Sequence, residues 1–238
     1  MTERGRSAIH RSPNEYRIGR SRMAWEAGGL SIDIDEITAP IPRRVRGRVR
    51  LHTPAVCNFL TPLDEAGHHL WGPIAPCARV DVEFEQPELR WSGRAYMDAN
   101  QGSEPVENAF HEWDWARSEM ADGSTSVIYD VRPRSGLGPD RVIAQRFAPD
   151  GSHQPFEAPA RQPLPRSAWG IARTLRSDAG VAPQVAKSLE DTPFYARAVV
   201  KAGVMGEQVT AMHETLNVPR VVSWPVRLML PWRMPRRG

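Results

Sequence analysis

The sequence predicts an all-β protein built of antiparallel sheets. Three observations carry that prediction. Short segments alternate apolar with polar side chains, turn signals separate them at even spacing, and no segment keeps a helical period over three turns. Many short strands with evenly spaced turns indicate an antiparallel barrel or sandwich.

The elements follow in order. Leu30-Ser31-Ile32-Asp33-Ile34-Asp35 alternates, as do Val45-Arg46-Gly47-Arg48-Val49-Arg50-Leu51 and Ala78-Arg79-Val80-Asp81-Val82-Glu83-Phe84, which stops before Gln86-Pro87. A period of two sends one set of side chains to the core and the other to solvent. Ala121-Asp122-Gly123-Ser124 joins strand-like runs from Trp113 to Ser118 and from Ser126 to Val131, and Asp-Gly in such a place signals a hairpin. Arg141 to Phe147 is a further strand before an Asp150-Gly151 turn. Residues 152–165 turn to Pro, Gln and Ala without periodicity and read as a linker, dividing a first domain, 1–151, from a second, 166–238. The clearest strands of the second are Phe194 to Lys201 and Gln208 to Leu216, joined at Met205-Gly206-Glu207.

Composition narrows the classes. The 238 residues are about 40% hydrophobic, enough for a real core. No apolar run approaches the ~18 residues of a membrane-spanning helix, and Met1-Thr2-Glu3-Arg4 has no apolar signal region. Cys57 and Cys77 are the only cysteines, which gives neither a zinc spacing nor a disulfide framework and fits a reducing cytoplasm. A net charge of +3 does not by itself suggest nucleic acid. Phosphate-binding glycine motifs and internal repeats are absent from the sequence.

Two clusters carry candidate chemistry: His68-His69-Leu70-Trp71-Gly72-Pro73, and the run from Trp91 to Gly102 that contains Tyr96-Met97-Asp98. On a strand, residues two apart share a face, so His69 goes with Trp71 and Tyr96 with Asp98. If those faces meet, one pocket holds an imidazole, a carboxyl and two aromatic rings. The plain structural reading stands beside this one: a His and a Trp in ordinary packing, and a core Tyr followed by a turn Asp. Trp113-Asp114-Trp115 alternates as a half-buried strand does, with Asp114 facing solvent or supporting a site rather than reacting. His52, His111 and His213 show no metal-ligand spacing. The tail from Trp224 to Gly238 mixes Trp, Leu and Met with Arg, the composition of a surface that touches a bilayer or of a docking strand with a basic end. Pro225, Pro231 and Pro235 forbid a long amphipathic helix there.

At these clusters the sequence resembles the carotenoid 1,2-hydratases, or hydroxyneurosporene synthases. The likeness runs through Met1-Thr2-Glu3-Arg4-Gly5-Arg6, Ile32-Asp33-Ile34-Asp35-Glu36, Trp71-Gly72-Pro73-Ile74-Ala75-Pro76 and Leu89-Arg90-Trp91-Ser92-Gly93. It continues through Tyr96-x-Asp98-x-Asn100-x-Gly102, Trp113-Asp114-Trp115, the stretch from Leu189 to Arg197, and Leu230-Pro231-Trp232-Arg233-Met234-Pro235. The resemblance implies two consecutive lipocalin-like (calycin) antiparallel β-domains. It also implies acyclic carotenoid substrates such as neurosporene and lycopene, no cofactor, no metal, and catalytic positions at Asp98, His69, Trp71 and Tyr96. Family members extend upstream of the residue matching Met1. A missing N-terminal segment and an incomplete first domain, with an unpaired edge or an open cavity, are therefore expected. The expected setting is the cytoplasm of a photosynthetic bacterium, peripheral on the inner or intracytoplasmic membrane. The expected partners are the carotenoid, the membrane surface and other carotenoid-pathway enzymes, with no nucleic acid.

Adding water to an unactivated trisubstituted alkene needs a positioned acid. Protonation at C2 leaves a tertiary cation at C1, which water attacks. Apolar surroundings keep a carboxyl protonated, so Asp98 is assigned as donor. Trp71 and Tyr96 would stabilise the cation, at about 2 kcal/mol or more per desolvated ring. His69 would orient and deprotonate the water, or else position Asp98. The competing function is a carrier that binds carotenoids or other apolar ligands without catalysis; an isomerase or pericyclase-like relative is a third.

Overall fold

The computed structural model describes residues 2–38, 41–229 and 234–236, with the side chains of 2, 3, 229 and 234–236 outside that description. The chain begins with Thr2–Arg4 (β1), then builds one sheet from Ile9–Arg11 (β2), Glu15–Ile18 (β3), Ser21–Glu26 (β4), Gly29–Ile37 (β5), Arg44–His52 (β6), Thr61–Pro62 (β7), His69–Gln86 (β8) and Glu88–Gly102 (β9). One helical turn, Val106–Ala109 (α1), leads to Phe110–Glu119 (β10), Thr125–Pro133 (β11), Arg141–Phe147 (β12) and His153–Pro155 (β13). A ribbon of Arg161–Leu164 (β14) and Arg173–Arg176 (β15) follows, then Gln184–Asp191 (β16), Tyr195–Val204 (β17) and Glu207–Asn217 (β18). The short helices Val218–Val221 (α2) and Trp224–Met229 (α3) precede Met234–Arg236 (β19), which pairs in parallel with β1.

The architecture is all-β, and the ladders within its large sheets are antiparallel, as expected. The first sheet has the order β2-β3-β4-β5-β6-β8-β7, with β9 paired to β8; the second has the order β13-β12-β11-β10-β18-β17-β16. Two consecutive antiparallel sheets are consistent with a lipocalin-like plan. No described helix is long and apolar enough to cross a membrane. Cys57 and Cys77 are free thiols.

Hydrogen-bonded pairing crosses the stretch 152–165. Strand β10 pairs with β11 on one side and with β18 on the other, so the second sheet draws on both sides of that stretch. Residues 152–165 are not strandless, since they carry β13 and β14. The physical reason is that a central strand must satisfy both of its edges. Pro155 and Pro163 are tolerated because their ladders are short and peripheral.

The expected turns are in place. Gly123 has φ +83° between β10 and β11, where no Cβ penalty applies. Gly72 sits so close to the loop before β7 that an added Cβ would overlap the Phe59 carbonyl oxygen.

Three apolar clusters fill the layers. Leu30, Leu51, Ala75 and Ala78 back the first sheet. Trp71, Trp115, Tyr129, Phe147 and their neighbours lie between the sheets. Ala116, Leu164, Leu175 and Val200 lie on the far face of the second sheet, under the β14–β15 ribbon.

Candidate active site

Period-two alternation places the site residues. Tyr96 and Asp98 project from β9, while Trp113, Trp115 and Arg117 project from β10. Together with Tyr129, Arg197 and Glu214 they line a cavity of about 420 Å³ between the two sheets. Register aligns four of them in one row across the second sheet: Tyr129 opposite Trp115, Trp115 opposite Glu214, and Glu214 opposite Arg197. A larger groove of about 910 Å³ on the first sheet is walled by charged residues such as Asp33, Arg48 and Glu83, and holds none of the candidate catalytic residues.

Asp98 is the focus of the cavity. Its Oδ2 accepts the indole N–H of Trp71 at 2.8 Å and the hydroxyl of Tyr96 at 3.2 Å. Burial, reinforced by the neighbouring Asp98 carboxyl, pushes the Tyr96 phenol well above its ordinary value, so it remains a donor. Burial likewise pushes the Tyr129 phenol up. The Tyr96 ring packs 5.4 Å from Trp115 and lies under the Arg117 guanidinium at 5.3 Å. Burial holds Arg117 below its ordinary value, while the Tyr96 hydroxyl, Glu214 and Asp98 act in the opposite direction. Across the cavity, Arg197 Nε donates to Glu214 Oε1 and reaches the Tyr195 hydroxyl, both at 2.9 Å.

Three of the four candidates therefore converge, in two different roles. Tyr96 and Asp98 line the cavity. Trp71 is fully buried behind Asp98, edge-on to Phe59 and Tyr129, so its contribution is a hydrogen bond rather than an open ring face. The rings that do line the cavity are Tyr96, Trp113, Trp115, Tyr129 and Tyr195.

His69 lies apart. Its register partner on β9 is Gly102, four residues beyond Asp98. At ~3.3 Å per residue that is about 13 Å along the strand. His69 and Trp71 stand two apart on one face of β8, but sharing a face does not mean sharing a position along it. His69 is buried edge-on to Phe110 at 4.8 Å, and Phe110 packs on Trp113 at 5.6 Å, so His69 buttresses the cavity wall from behind. Asp64, His69 and Glu104 offer ligand atoms within 4.8 Å of one another, the one group of metal-ligand type among the described residues. Both Glu104 oxygens already face partners, His68 Nδ1 and Asn108 Nδ2, each at 3.2 Å.

Asp114 does not face solvent. It is buried on the opposite face of β10, where it accepts from Thr174, Thr215 and Arg132. Glu214, Arg197 and Trp115 escaped sequence reasoning as site residues. Their alternation within strands was visible, but only the β10–β18 pairing brings them to Asp98's cavity.

Fold and site together define an antiparallel β-sheet protein whose aromatic cavity presents a tethered carboxyl. The chain belongs to the carotenoid hydratase family, matching over residues 1–238 the family described as "Carotenoid hydratase CrtC". It is 58% identical to the acyclic carotenoid 1,2-hydratase of Rubrivivax gelatinosus and 47% identical to that of Thiocapsa roseopersicina, in both cases with 100% of this chain and 58% of the relative covered. It is 35% identical to the enzyme of the same name from Cereibacter sphaeroides, covering 84% of that protein. The chain thus spans little more than half the length of the first two relatives.

Proposed function

We propose that this chain is a hydro-lyase that adds water across the C1–C2 double bond of an acyclic carotenoid, such as neurosporene or lycopene, giving a 1-hydroxycarotenoid without a cofactor. The observation that carries this reading is the tethering of Asp98 at the cavity wall. Two donors converge on Oδ2, which leaves Oδ1 as the oxygen to carry and deliver a proton. Electron pairs flow from the alkene to that proton, and the cation at C1 develops among ring faces worth about 0.5–2 kcal/mol each. Tyr96 and Trp71 then receive the carboxylate that forms, since both hydrogen bonds strengthen once Oδ2 becomes charged.

A carotenoid is dissolved in lipid, so a peripheral membrane position on the cytoplasmic side accompanies the proposal. Trp224 and Leu228 of α3 are 72% and 54% exposed, which supports a lipid-facing surface at this end of the chain. The remaining tail residues of that argument, Leu230, Trp232, Arg233 and Arg237, lie outside the described residues.

The test is incubation of the purified chain with lycopene, following both the absorption shift of binding and the formation of 1-hydroxy product. Asp98→Asn preserves shape but has no proton to give, so product should fall by about 10²–10⁴ while binding survives. Binding without product in the parent chain would favour the carrier reading. An Asn variant within a few-fold of the parent would remove Asp98 as the acid.

A further inference from the structure

With the register setting His69 about 13 Å along the strand from Asp98, a group that lines the cavity itself is better placed to take the proton of the attacking water. We propose that Glu214 is that group, and that its carboxylate and the indole N–H of Trp115 together hold the water that attacks C1. This rests on the hydratase reading.

Three observations converge on it. Glu214 lines the same cavity as Asp98, but from the second sheet rather than the first. The cavity they share is about 420 Å³, many times the ~30 Å³ share of one water, so a reacting alkene end and a water fit in it. Trp115 is Glu214's direct register partner, on a neighbouring strand about 4.8 Å away. Trp115 is only 8% exposed, and its Nε1 has no hydrogen-bond partner among the described residues. A buried indole N–H without an acceptor calls for an explanation, and a water shared with a neighbouring carboxylate provides one. Finally, Arg197 Nε donates to the Glu214 carboxylate at 2.9 Å and the Tyr195 hydroxyl also bonds to it, so its position is set before substrate arrives.

The step balances without an oxidant or reductant. The O–H bond of Asp98 breaks as the alkene π pair forms C2–H. A lone pair of the water forms C1–O, and the water's surplus proton passes to Glu214. Exchange with solvent then returns a proton to Asp98 and removes one from Glu214. Arg197 and Tyr195 are positioning residues.

The experiment is lycopene turnover in D2O by the full chain, reading both 1-hydroxy product and deuterium at C2 of the recovered carotenoid. Glu214→Gln should lower product by about 100-fold or more. Its recovered substrate should carry deuterium, because Asp98 still protonates C2 and the uncaptured cation returns to alkene. Trp115→Phe should shift the ratio of product to exchange in the same direction, and Glu214→Asp should recover part of the activity. Asp98→Asn should abolish both signals. A Glu214→Gln variant within about threefold of the parent overturns the proposal and leaves the hydratase reading standing. So does loss of product and exchange together in a variant that still shifts the carotenoid spectrum, or a Glu214→Asp variant no better than Gln. A parent chain that gives neither product nor exchange overturns the hydratase reading itself, and this inference with it.

Discussion

Asp114→Asn removes one charge from the centre of the second sheet while keeping the side chain's shape. Asp114 Oδ1 accepts from Thr215 Oγ1 at 2.5 Å and lies 3.4 Å from His213 Nε2; Oδ2 accepts from Arg132 Nη2 at 2.8 Å and from Thr174 Oγ1 at 2.6 Å. Four strands, β10, β11, β15 and β18, thus meet at one carboxylate directly behind the cavity-lining Trp113 and Trp115. Burial opposes the charge, but His213, Thr174 and Thr215 outweigh it and hold the carboxyl at about 2 against an ordinary 3.8. At roughly 1.4 kcal/mol per unit, the charged form contributes about 2 kcal/mol to stability at neutral pH. The neutral amide also leaves the mostly buried Arg132 with less compensation, which brings the expected cost to about 2–4 kcal/mol. Because the folded-state value lies below the unfolded one, this contribution is complete above about pH 4. It is lost as pH falls toward about 2. Urea unfolding followed by tryptophan fluorescence should show the full gap between parent and variant at pH 7 and a much smaller one near pH 2.5. A gap below about 0.5 kcal/mol at pH 7, or one that does not narrow in acid, refutes the reasoning.

Trp71→Phe deletes the N–H that holds Asp98 Oδ2 while retaining most of the buried ring. Lycopene should still bind, with hydration reduced about tenfold or more and stability lowered by about 1–3 kcal/mol; unchanged turnover would count against the tether. Gly72→Ala drives a Cβ into the Phe59 carbonyl and should cost about 1–3 kcal/mol in urea unfolding, so a variant as stable as the parent would show that the loop before β7 yields freely. Anionic vesicles should sediment the protein at low salt, each basic residue near the surface adding about 1 kcal/mol. Removal of residues 224–238 or high salt should weaken this, and equal binding to neutral and anionic vesicles at every salt level would contradict the electrostatic part.

Much of this protein was legible along the chain. Alternation identified β5, β6 and the second half of β8, because a strand with one face in the core records its period directly in sequence, and β12, β17 and β18 were legible as strand-like runs between turns. The Asp122-Gly123 hairpin joining β10 to β11 was legible because only a few residue types accept its backbone. Tyr96 and Asp98 were rightly put on one face, since that depends only on residues two apart. What tertiary structure alone decided is everything carried by pairing between distant strands. The antiparallel match of β10 with β18 joins residues about a hundred positions apart, and it carries one sheet across the stretch that composition had suggested as a linker. The same ladder brought Glu214 and Trp115 together, and the β8–β9 register carried His69 four residues past Asp98. Local sequence specifies which way a side chain points; how far along its neighbour it stands is fixed by non-local hydrogen bonds and packing, which no short stretch of chain encodes.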